Sequence, residues 1–166
     1  AVDRITEIGQ LWRDRAPAPR LASARQITTP NLASTRPSYA SSIADTSGPD
    51  LANDDQPGTY WQCDIGQTSG WVEIDLQEPT MFNTVAVVEP TYLSDYGTDS
   101  RIVSYRFEAW SGGQWREVFA GESPREMVYR VKPTSAERVR LSLRGTGKPP
   151  GIAELGLYAE PERRIS

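Results

Sequence analysis

The sequence predicts an all-β chain folded as an antiparallel sandwich, and three observations carry that prediction. From residue 71 onward, short stretches of alternating apolar and polar residues follow one another with no helical spacing between them. The 13 glycines and 13 prolines are scattered rather than periodic, as turns between many short strands would be. A length of 166 residues suits one ordinary domain and is enough to bury a core.

Residues 3–15, DRITEIGQLWRDR, place Ile5, Ile8, Leu11 and Trp12 on one face of a helix of about three turns. Pro17 and Pro19 cannot continue it. Residues 1–20 therefore read as a short helix or linker from an upstream domain, 21–160 as the sandwich and 161–166 as a tail. Residues 21–57 are rich in Ser, Ala, Thr, Asp and Pro with little periodicity, and 31–45 read as long loop segments around one or two short strands. A tight acidic loop, Asn53-Asp54-Asp55-Gln56-Pro57-Gly58-Thr59, leads into Tyr60 and Trp61. Crowded carboxylate and carbonyl oxygens of this kind suit a hard cation such as calcium, at ~2.3–2.6 Å.

Seven strands follow. Residues 71–77 alternate, with Val72, Ile74 and Leu76 on one face, and 81–89 form a nearly continuous apolar run suited to a central strand. In 101–110 the inward positions read as Val103, Tyr105, Phe107 and Ala109. Ser111-Gly112-Gly113 turns the chain into 114–120, and 125–131, 137–144 and 151–158 complete the series. Trp61, Trp71 and Trp115 read as core, Trp110 as exposed beside its turn, and the arginines of 137–144 as a solvated strand face.

Composition excludes several functions. The chain has 18 basic and 22 acidic residues and no basic stripe, which argues against nucleic acid and anionic membranes. No apolar run approaches the ~20 residues of a membrane-spanning helix. The absence of histidine removes Ser-His-Asp and Cys-His triads and the commonest zinc ligand. Cys63 is the only cysteine, so no internal disulfide forms and the thiol reads as a small buried hydrophobe. The opening residues do not form a signal peptide, so export would rest on a signal outside this chain.

Taken in order, several motifs resemble the discoidin, or coagulation factor V/VIII C-type, domain, and among bacterial proteins the family 32 carbohydrate-binding modules. They are Asn31-Leu32-Ala33, then Ala52-x-Asp54 with Thr59-Tyr60-Trp61, then Trp71-Val72-Glu73-Ile74-Asp75-Leu76. Arg101-Ile102 with Tyr105, Phe107 and Glu108 follows, then Val139-Arg140-Leu141 and Ile152-Ala153-Glu154-Leu155-Gly156-Leu157-Tyr158. The likeness covers about residues 28–159 and implies a discoidin-like jelly roll. Residues 3–12 and 87–110 are also similar to family 29 glycoside hydrolases, the α-L-fucosidases, at the end of their barrel and in their C-terminal sandwich. The 91–100 connection is longer here and has Ser100 where that family has Gln.

The resemblance implies a structural Ca2+ held by the Asp54 and Glu154 carboxylates, the Thr59 hydroxyl and carbonyl, and the carbonyls of Leu51, Gln56 and Ala153. The alternative is a solvated acidic turn, with Asp54 and Asp55 forming Asx-turns. It also implies a shallow sugar site on the loops at one end of the sandwich. The galactose-specific members' binding histidine has no counterpart, and the candidates are Tyr92, Asp95, Tyr96, Asp99 and Arg101, with Arg36, Tyr39 and Arg144 behind them. Packing within the loop is the competing role for the tyrosines, and a structural pair with Glu89 for Arg101.

The implied function is a non-catalytic, lectin-like sandwich that accompanies a secreted, periplasmic or cell-surface glycosidase, an α-L-fucosidase, and binds terminal sugars of the fucose or galactose type. The chain holds no candidate nucleophile on a barrel strand, so hydrolysis is not expected of it. Two alternatives stand beside this reading: a structural buttress of the upstream catalytic domain without a sugar site, and a protein-binding discoidin module. The second would need apolar or basic spikes at loops that are mostly Ser, Thr, Asp, Gly and Pro.

Overall fold

Two long strands that each run through a bend organise the molecule, which is described from a computed structural model covering residues 27–91, 100–122 and 126–161. The expected helix at 3–15 and the rest of residues 1–20 lie outside the described residues. The strands are β1 (Ser38–Ala40), β2 (Trp61–Gln62), β3 (Ser69–Val88), β4 (Ile102–Ser111), β5 (Gln114–Gly121), β6 (Glu126–Gly145), β7 (Gly151–Ile152) and β8 (Glu154–Tyr158). A 3-10 turn over Pro49–Ala52 is the only helical element among the described residues.

The sequence separates 71–77 from 81–89, and 125–131 from 137–144, yet each pair is one continuous strand, β3 or β6. The two pair antiparallel along their length, Gly70 opposite Leu143 and Val87 opposite Met127, with register shifts between Asp75 and Thr80 and between Phe82 and Thr84. Local chemistry explains the bend. Gln77 sits at φ 67°, left-handed for a residue with a Cβ, and its N–H donates to the Asp75 carboxylate at 2.9 Å. Pro79 follows and cannot donate to a ladder. Polar bend residues read as a break in sequence, while hydrogen bonding resumes beyond them.

The bend turns two long strands into two layers. Residues 69–75 of β3 join β1 and the second half of β6, beyond which lie β4 and β5; residues 84–88 pair with β8 on the other side. Apolar residues from both layers meet between them. Phe107 and Phe119 stack at 5.0 Å, Phe119 stacks on Tyr129 at 4.1 Å, and Phe82 meets Phe107 edge-on at 6.1 Å. Val72, Ile74, Leu141, Val85 and Leu157 are fully buried in the same core, each contributing about 1.5–3 kcal/mol.

Two local predictions are seen and one shifts. Gly112 and Gly113 have φ 62° and 78°, the two left-handed residues of a tight hairpin between Ser111 and Gln114. Tyr105, Phe107 and Ala109 point inward as their alternation predicts. Ile102, not Val103, is the buried residue at the start of β4, because the register slips between Ile102 and Ser104.

Candidate functional site

The loops at the C-terminal end of β3 gather most of the chemically interesting groups. Val88 pairs with Glu154 of β8, and its carbonyl accepts from the Ala153 N–H at 2.8 Å. One residue on, Glu89 accepts the Ser100 hydroxyl and, at 2.7 Å, the Arg101 N–H. A single strand end thus anchors an acidic knot on one side and an arginine-centred loop on the other.

In the acidic knot, the loop after Asn53 folds back on itself. Asp54 accepts the Gln56 N–H at 3.0 Å, an Asx-turn, and the Thr59 hydroxyl at 2.6 Å. Asp55 sits at φ 58° and accepts from the Ser34 hydroxyl and, at 3.0 Å, the Asn31 amide. The same amide donates to Glu154 at 2.9 Å, and the Asn31 side-chain carbonyl accepts the N–H groups of Ala33 and Leu157 at 3.0 Å each. Asn31 is the hub that sequence reasoning missed. Its place in an opening Asn-Leu-Ala motif carried no sign of contacts more than a hundred residues away.

Glu154 is pushed up from 4.5 to about 8, first by burial and then by the charges of Asp55 and Asp54 and a hydrogen bond to Asp55; the Asn31 amide pulls weakly the other way. The charges of Asp54 and Asp55 are thus both felt at Glu154. The donors are all oxygen, which fits a hard ion rather than zinc. No group of three or more His, Cys, Asp or Glu side chains among the described residues holds a metal unaided, so main-chain carbonyls would have to complete the shell. Leu51 lies in the 3-10 turn just before this loop, the Gln56 carbonyl accepts the Thr59 hydroxyl at 3.2 Å, and Ala153 precedes Glu154.

At the arginine side, Arg101 is buried, 8% exposed, and its guanidinium donates to the Pro149 carbonyl at 3.1 Å. Its own carbonyl accepts the Thr146 N–H at 3.0 Å, so it ties the start of β4 to the 145–150 segment. That segment continues into β7, which pairs with β2 behind the acidic loop. Tyr92, Asp95, Tyr96 and Asp99 lie outside the described residues. Arg36 is elsewhere: it donates to Gln77 at 3.1 Å and lies 3.7 Å from Glu78, at the bend of β3. From there to Ser69, at the strand's other end, is roughly 25 Å at ~3.3 Å per residue. Arg144 is exposed opposite Ser69, and Tyr39 stands on the sheet face opposite Glu73. Arg144 is also opposite Ser104 of β4, so of the expected basic residues Arg101 and Arg144 lie at the start of β4 and Arg36 does not.

The sequence profile of the F5/8 type C domain matches residues 37–155. This chain belongs to that family. A search of curated sequences returns no match. Solved structures share the fold of this F5/8 type C domain. A Ruminococcus gnavus GH29 fucosidase in complex with fucose is 26% identical, with a TM-score of 0.68 over 96% of this chain and 30% of its own. The family 32 carbohydrate-binding module of C. perfringens NanJ, in complex with galactose, is 20% identical, with a TM-score of 0.63 over 73% of this chain and 91% of its own. A Streptococcus pneumoniae fucose binding module is 18% identical, with a TM-score of 0.65 over 80% of this chain and 96% of its own. The domain spans only 28% of the SpGH29 chain and 30% of the Ruminococcus gnavus fucosidase chain.

Proposed function

We propose that this domain is a non-catalytic sugar-binding module that accompanies a secreted glycoside hydrolase of the α-L-fucosidase kind. It holds a terminal sugar of a glycan at the loops around the β3–β4 junction. The observation that carries this reading is the likeness over 96% of the chain to part of a fucosidase, in a fold shared with free-standing fucose- and galactose-binding modules. Tyr92 and Tyr96 would pack on the apolar face of the ring, and Asp95 and Arg101 would meet its hydroxyls. Calcium would be held by Asp54, Glu154 and Thr59 with the carbonyls of Leu51, Gln56 and Ala153, and would supply charge neutralisation that keeps the loop on β8.

One observation favours a second reading, a buttress without a sugar site: Arg101 is buried and its guanidinium is engaged by the Pro149 carbonyl. Calorimetric titration of fucose and of galactose separates the two. Saturable heat with one sugar, weakened at least tenfold by Tyr96→Ala, supports the module; no heat with either sugar overturns it in favour of the buttress.

A further inference from the structure

The outer face of the β1-β3-β6-β4-β5 sheet carries an open cleft of about 400 Å³, within the usual size of ligand sites. It is built from outward positions on neighbouring strands. Tyr39 stands opposite Glu73, Glu73 opposite Arg140, Arg138 opposite Trp110, and Trp110 opposite Trp115. The expectation that Trp71 and Trp115 are core is corrected here: both are only partly buried, because their strand positions have the parity of the solvent face. Trp110, expected to be exposed, is likewise half-buried in this cleft, and Arg140 is not simply solvated.

The centre of the cleft is a ladder. The Arg140 guanidinium lies 4.6 Å from the Trp71 ring and 4.5 Å from the Trp115 ring. Glu73, buried beneath it, accepts two of its N–H groups at 2.8 and 3.2 Å, which fixes the plane between the rings. Trp110 meets Trp115 edge-on at 5.4 Å. This lock accounts for the Arg-facing sides of two tryptophans. It leaves Tyr39, 51% exposed, and Arg138, whose half-exposed guanidinium lies 3.8 Å from Glu73, at the rim of the cleft.

Aromatic rings beside a half-exposed planar guanidinium form a set that can recognise a pyranose: C–H faces lie on the rings, and paired hydroxyls meet Arg138. From β1 to β5 the face crosses four strand spacings, ~19 Å at ~4.8 Å each, and the cleft is open rather than a closed socket. We propose that this sheet face is a second glycan-binding site, which takes consecutive pyranose units of a linear polysaccharide laid across the strands. It is distinct from the loop end, where Arg101 lies, and stands whether or not that end binds a terminal sugar.

Tryptophan emission reads this site directly, because three of the chain's five tryptophans line the cleft and Trp61 is buried elsewhere. The probes are cellohexaose, xylohexaose, a β-1,4-galactan hexamer and an oligogalacturonate hexamer, each titrated to millimolar concentration into the whole chain with excess fucose present. A saturable change with at least one hexasaccharide is expected. It should weaken about tenfold or more in Tyr39→Ala and Arg138→Ala, whose exposed side chains leave the melting temperature unchanged. No saturable response to any of these probes, or equal affinity in both variants, overturns the proposal. Binding of any probe at the loop end would be equal in wild type, Tyr39→Ala and Arg138→Ala, so neither the terminal-sugar reading nor its failure can imitate the expected result.

Discussion

Glu154→Gln tests the acidic knot most sharply. Burial and the charges of Asp55 and Asp54 raise this carboxyl from 4.5 to about 8. A group that holds its proton more tightly when folded than when unfolded stabilises the fold fully below about pH 4.5, and that contribution is lost as pH rises through about 8. The ceiling on the change is about 5 kcal/mol. Solvent reaches part of this side chain, and screening brings the expectation to about 2 kcal/mol. With a chelator present, wild-type melting temperature should fall relative to Glu154→Gln by about 4–8 °C between about pH 5 and pH 8.5. Titrations common to both chains cancel in the difference, so the slope belongs to residue 154. Calcium should then reverse the order at the higher pH, raising wild type and leaving the variant nearly unmoved. A wild-type-minus-variant difference that is the same at both pH values would refute the reasoning, because it would mean that neither burial nor the neighbouring carboxylates hold the proton on Glu154.

Two further changes probe the scaffold under the site. Asn53 is buried and donates to the carbonyls of Ala33 and Arg36 at 2.7 and 2.9 Å, so Asn53→Ala should cost about 2–3 kcal/mol in denaturant unfolding, with the m-value unchanged. A Cβ at Gly151 would come within 2.3 Å of the Trp61 carbonyl oxygen, a backbone atom that cannot swing aside. Gly151→Ala should therefore separate β7 from β2 and cost about 2 kcal/mol or more, read as a lower melting temperature and faster amide exchange at Cys63.

The layers were legible because strand chemistry is local. Alternation at 71–77 and 101–110, and the Gly112-Gly113 pair, state their own geometry. The two long strands were not legible, since the polar bend at Gln77 looks like a loop and only pairing with β6 shows that the ladder resumes. Trp71 and Trp115 show the limit of residue type as a guide. A tryptophan in a strand suggests core, but parity decides the face, and here it sets the rings outward around Arg140. In the acidic loop, sequence indicated Asp54 and Glu154, while Asn31 emerged only because folding brings residues 31, 55 and 154 together. Arg36 and Arg101 seemed neighbours by residue type alone, and the bend of β3 keeps them apart.

A nitrogen–proton correlation titration with fucose and with galactose tests the central claim most directly, because it reports where a sugar binds as well as whether it does. Saturable shifts confined to amides of residues 89–101 and 145–150 are the predicted result. No shifts with either sugar, or shifts scattered over the surface, would contradict a terminal-sugar site at the β3–β4 junction.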